Sequence, residues 1–135
     1  FTGLFHAHSG FAYLFLAAST IHAAIAIAAA AGQSGESLMK AARVVQIIEA
    51  ITFGLVLLAG YFAWYASGLS IGTPWLWGAV VWGFAMGAVS GAGSKKAYKR
   101  VREGEDAAKK WAGFTVLFAA MGWAIFAEMH VYSRL

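Results

Sequence analysis

The sequence predicts an all-α integral membrane protein: a four-helix bundle forming one transmembrane domain over residues 1–135, with both termini on the outer, non-cytoplasmic side. Three observations carry this. Of the 135 residues, 61% are hydrophobic and 12% charged, with a mean hydropathy of +0.67, more apolar surface than a water-soluble domain of this size can cover. Four apolar runs are each long enough for a hydrocarbon layer of ~30 Å, which takes about 20 helical residues. The ten cations gather almost entirely on one side of those runs.

The first run covers about 4–31 and is too long, and too rich in His and Ser, for a signal-peptide core. The connection 32–42 holds Lys40, with Arg43 at its edge, and leads to the second run, about 43–66. The turn 66–73 has no charge. The third run, about 74–94, carries Ala79, Gly83, Gly87 and Gly91 at intervals of four, a small-residue stripe suited to close helix packing or to a flat tetrapyrrole. A basic cytoplasmic loop, 94–110, holds Lys95, Lys96, Lys99, Arg100, Arg102, Lys109 and Lys110 before the fourth run, about 111–133. Only Arg134 lies on the opposite side.

Nine of ten cations on one side orient the chain by the positive-inside rule and place it in a membrane of the prokaryotic inner, cytoplasmic type. The same cluster suits anionic lipid headgroups better than nucleic acid, since Glu103, Glu105 and Asp106 interrupt it. Tyr61, Trp64, Tyr65, Trp75, Trp77 and Tyr132 fall at the outer aromatic belt, and Tyr98 and Trp111 at the inner one.

The chain has no Cys, which removes disulfides, thiolate metal sites and iron–sulfur clusters and leaves His, Met, Glu or backbone to hold any metal or haem. Hydrolase and phosphoryl-transfer motifs are also missing. Ionisable groups are expensive within a bilayer, so His6, His8, His22, Glu49, Glu128 and His130 are the functional candidates, with Ser19, Thr20, Gln46 and Thr52 as neutral companions. His8 and His22 are 14 residues apart, about 40° short of four turns and about 21 Å along a helix, so they share a face at opposite depths. His130 ends the fourth run at about the depth of His6 and His8.

With those spacings the chain resembles small four-helix membrane-anchor subunits and b-type cytochromes, in which His residues on facing helices hold haem. The resemblance implies haem b between His8 and His130 near the outer face. His22 has no His partner on the fourth span, so a second haem at its depth would need an unusual ligand such as Met121.

Glu49 on the second run lies at about the depth of His22, and Gln46, Glu49, Thr52 and Phe53 share a face. Ser19, His22, Gln46 and Glu49 therefore suit a polar cluster in the inner half, either a quinone headgroup site or a pair that fixes helix register. At the outer end His6, His8, His130 and Glu128 offer nitrogen and oxygen ligands to copper or zinc, or Glu128 orients His130. The functional expectation is a membrane subunit of an electron-transfer or oxidoreductase complex, with haem b outside and a quinone-type site inside. The alternatives are an outer-face copper-binding protein and a structural accessory subunit. In each case membrane lipids, other membrane subunits or further copies of the chain are the expected partners.

Overall fold

A computed structural model describes residues 2–33, 35–68 and 70–132. The side chains of Trp75 and Tyr132, and Arg134, lie outside the described residues. The chain is all-α, in the order α1 Thr2–Ala30, α2 Glu36–Ser67, α3 Pro74–Ala88, a π-helical segment Val89–Ser94, α4 Lys95–Arg102 and α5 Ala108–Tyr132. Four stretches are long and apolar enough to cross a membrane: Gly3–Ala30, Glu36–Ser67, Leu76–Arg102 and Ala108–His130. They pack together as four helices, with α3, the π-helical segment and α4 acting as one rod.

Two boundaries differ from the sequence reading. The second helix begins at Glu36, and the third continues through the basic stretch to Arg102, so the expected loop 94–110 shrinks to residues 103–107. Hydropathy marks where a helix leaves hydrocarbon, not where it stops, and Lys, Arg and Ala are good helix formers with no breaker among them. The ends come instead at glycines. Gly68 (φ 71) and Gly104 (φ 83) take left-handed conformations that terminate α2 and α4, and Pro74 then opens α3 with its φ already helical.

Helix α1 runs against both α2 and α5, while α3 and the π-helical segment pack on α5. No comparable packing joins α2 to α3, so one seam of the bundle stays open along its length. The lining of that seam holds the site. At the basic end Ala26, Ala42, Ala97, Tyr98 and Trp111 form one buried cluster; at mid-depth Phe15, Leu16, Met86 and Phe118 form another. Tyr98 and Trp111, expected at the inner aromatic belt, are thus core residues, and the Tyr98 hydroxyl donates to the Met39 carbonyl at 3.3 Å. Tyr61, Tyr65 and Trp77 at the neutral end do remain exposed, as belt positions should. The outward faces of all four helices carry Ile, Leu, Val and Phe, the surface a lipid solvent requires.

The π-helical segment is held by two contacts to α5. A Cβ on Gly93 would fall 2.4 Å from Cδ1 of Phe114, so only glycine lets that ring lie on the backbone. Beside it the Ser94 and Thr115 hydroxyls, both buried, meet at 2.9 Å. The widened turn is closed by a bond from the Lys95 N–H to the Ser90 carbonyl, where α3 passes into α4.

Gly93→Ala should destabilise the detergent-solubilised protein by about 1–3 kcal/mol through overpacking against Phe114. Thermal or denaturant unfolding reads this, and adding Phe114→Ala should recover part of the loss.

Candidate functional site

Three helices bring one polar side chain each to a common point. The buried stripe of α2, Ala42, Gln46, Glu49, Thr52, Ala59 and Ala63, repeats at three- and four-residue steps and faces α1. On α1, Phe15, Ser19, His22 and Ala26 repeat in the same way and are all buried. On α5, Trp111, Thr115 and Phe118 form the third such face. Where the stripes meet, His22 Nδ1 lies 3.2 Å from Glu49 Oε1, and Trp111 Nε1 lies 3.3 Å from His22 Nε2. His22 and Trp111 are 1% and 0% exposed, and Glu49 is 5% exposed.

The geometry fixes the proton. An indole N–H can only donate, so His22 Nε2 accepts and the ring hydrogen sits on Nδ1, which donates to the Glu49 carboxyl. Trp111 therefore holds His22 in one tautomer and one orientation, and His22 in turn holds Glu49 Oε1.

The other Glu49 oxygen has no such partner. Oε2, together with Gln46 Nε2 and Ser19 Oγ, is buried without a hydrogen bond within the protein. Such atoms are costly in a dry interior and mark places where water, an ion or a ligand completes the structure. Gln46 Oε1 accepts from Arg43 Nη1 at 3.4 Å, and Thr52 Oγ1 bonds back to the Ile48 and Glu49 carbonyls.

Glu49 borders a cavity of about 190 Å³ at the open α2–α3 seam, walled also by Phe53, Phe118, Gly87, Ser90, Gly91 and Lys95. Gly87, Gly91 and Ala50 are exposed, so the cavity opens sideways between α2 and α3. The cluster expected in the basic half is therefore assembled around His22 and Glu49, with Gln46 and Ser19 buried on the same two faces. The sequence reading missed Trp111, Ser90 and Lys95. Trp111 could have been found from its four-residue step to Thr115 and three further to Phe118, a buried face rather than a boundary.

The neutral-end candidates are arranged differently. His8 is half-buried, its Nδ1 hydrogen-bonded to the Val56 carbonyl at 2.9 Å, and its ring lies so close to α2 that a Cβ on Gly60 would come within 2.9 Å of it. It borders a second cavity, of about 130 Å³, with Phe126 and Met129. His130 is exposed and stacks on Phe126, ring centroids 6.3 Å apart. His6 and Glu128 are exposed. Among the described residues no three His, Asp or Glu side chains converge on a point that could hold a metal. In helical α1, His6 stands about 200° around the axis from His8.

No protein-family model, curated protein or solved structure matches this chain.

Nitrogen-15 spectra of labelled histidine should place the His22 ring hydrogen on Nδ1; a hydrogen on Nε2 would contradict the hydrogen-bond assignment. Glu49→Leu should lower stability by about 1–3 kcal/mol by leaving the buried Nδ1–H unpaired, whereas Glu49→Gln, which keeps an acceptor oxygen, should lose less. Unfolding in detergent distinguishes the two variants.

Proposed function

We propose that the chain is a membrane-embedded subunit of an electron-transfer complex, and that its cavity at Glu49 takes the headgroup of a quinone-type carrier. One observation carries this: a buried carboxyl with one oxygen fixed by His22 and the other unpartnered beside a cavity that opens to the lipid. Cavities of about 150 Å³ accept a benzene-sized ring, so 190 Å³ suits one substituted ring. Phe53 and Phe118 supply flat apolar walls, and Ser90 supplies a hydroxyl on the far side.

In this reading the carrier enters through the α2–α3 seam, and a ring oxygen meets Glu49 Oε2. Reduction of a quinone to a quinol takes two electrons and two protons; a redox partner subunit gives the electrons. Glu49 donates one proton from Oε2, is reprotonated from the basic end, where Lys95 lines the same cavity, and donates the second. The Nδ1–H of His22 stabilises the carboxylate left after each transfer. By the positive-inside rule the basic end faces the cytoplasm, so these protons come from that side and both termini lie outside.

A second reading concerns haem b at His8 and His130. The Nδ1 bond to Val56 leaves His8 Nε2 for coordination, the usual way a ligating imidazole is oriented, and His130 stacks on Phe126 of the same cavity wall. A porphyrin is larger than 130 Å³, so haem held there requires the seam to widen.

Binding of a short-chain dimethoxy-methyl-benzoquinone to the purified protein should be saturable at one per chain and at least about tenfold weaker for Glu49→Leu, a difference of roughly 1.4 kcal/mol. Non-saturable partitioning that is equal in both proteins would sink the quinone reading. Oxidised and dithionite-reduced optical spectra test the second one; a preparation without Soret absorbance removes it.

A further inference from the structure

The small-residue stripe of the third span has an unexpected position. Ala79, Gly83, Gly87 and Gly91 repeat every four residues, the pattern by which helices normally approach each other closely. Here no helix fills it. A Cβ on Gly87 or Gly91 would meet nothing within 4 Å, and one on Gly83 would meet only Leu57 Cδ2, at 3.6 Å. Instead Gly87 and Gly91 wall the cavity at Glu49, and Ala79 and Gly83 wall the cavity at His8.

Phe53 belongs to both cavities. It stands between them at mid-depth, and its ring is held by Phe15 and Phe118 at centroid distances of 5.4 and 5.7 Å. The basic-end cavity is lined by Glu49, whose second carboxyl oxygen is buried without a hydrogen-bond partner. The neutral-end cavity is lined almost wholly by apolar side chains, Leu57, Val56, Trp82 and Met86 among them. From Gly91 to Ala79 the stripe spans roughly 18 Å at 1.5 Å per residue.

We propose that the two cavities form one ligand groove, and that its occupant is a ring bearing a single linear apolar chain. The ring sits at Glu49, and the chain runs past Phe53 along Gly83 and Ala79 toward the neutral end. This rests on the quinone-type reading of the Glu49 cavity and deepens it by specifying the chain and its path. Both parts of the occupant follow from the lining: a polar atom without a partner at one end, apolar walls and absent side chains along the rest. The glycines leave the width of a chain where a larger residue would close the seam. A phospholipid acyl chain would have no use for the carboxyl.

The test uses the full-length protein in detergent, a benzoquinone carrying a ten-carbon chain with a terminal diazirine, and the same ring without a chain. Photolabelling should fall on Leu57, Met86 or Met129 and disappear when unlabelled long-chain compound is added in excess. Gly83→Leu should weaken the long-chain compound by about fivefold or more, through lost dispersion contact, and leave the chainless ring unaffected. Ala79→Phe, at the far end of the groove, should act in the same direction and guards against a folding defect at Gly83. Labelling on the outward residues Val81 and Phe84 with saturable ring binding intact would overturn the groove while leaving the Glu49 site standing. Equal loss of both compounds in Gly83→Leu and Ala79→Phe would also overturn it. If the chainless ring does not bind saturably to the unmodified protein, both readings fall together.

Discussion

Within a bilayer a buried polar side chain must find its partners inside the protein, because hydrocarbon offers none. In this chain that constraint acts most on the point where His22 of α1, Glu49 of α2 and Trp111 of α5 meet. Each of the two hydrogen bonds crosses from one helix to another, so together they lock the rotation and depth of three helices. Sliding any of them by one turn, about 5.4 Å, would strand an imidazole or a carboxyl in an apolar core. The alanine-rich packing around them, Ala26, Ala42 and Ala97, lets the helices approach but by itself specifies no register, since one alanine face resembles the next.

The third span, α3 with the π-helical segment and α4, is attached by other means, and that difference makes the cleft. It reaches α5 through the Gly93–Phe114 contact, the Ser94–Thr115 hydrogen bond and the Trp82 indole on the Met121 carbonyl, 2.9 Å away. No equivalent tie reaches α2 at mid-depth, and the α2–α3 seam stays open. The π-helical turn lies where Ser90 and Gly91 line the cavity at that seam. The cavity at the α2–α3 seam follows from how one helix is fastened, and Glu49 forms one of its walls.

Legibility differed from one part of the chain to another. The four spans were legible because twenty consecutive apolar residues have few alternative fates, and the meeting of His22 with Glu49 was legible because two ionisable groups at equal depth have a strong reason to pair. Trp111 was misjudged: a tryptophan beside Lys109 and Lys110 has the composition of an interfacial anchor, and only its packing against Tyr98 and His22 separates the two roles. The glycine stripe was left open between two uses. Small residues at four-residue spacing admit a helix or a ligand with equal ease, and the sequence has no term that says which surface lies opposite. At the neutral end the spacing of His8 and His130 was consistent with a shared ligand, yet His8 is drawn to the α2 backbone, a contact that depends on Gly60, 52 positions further along the chain.

What the sequence by itself determined is the solvent and the inventory: hydrophobic length sets the number of spans, the asymmetry of the cations sets a basic and a neutral end, and the absence of Cys confines the chemistry to a few His and Glu side chains. These are properties of composition and order along the chain, and they survive any arrangement of the helices. The tertiary structure decided which of those side chains touch. It chose Trp111 as the partner that holds His22 in one tautomer, left one oxygen of Glu49 open, and turned a packing stripe into a cavity wall. Each outcome depends on the rotation of one helix against another, which is set by many weak contacts acting together and is encoded in no single stretch of residues.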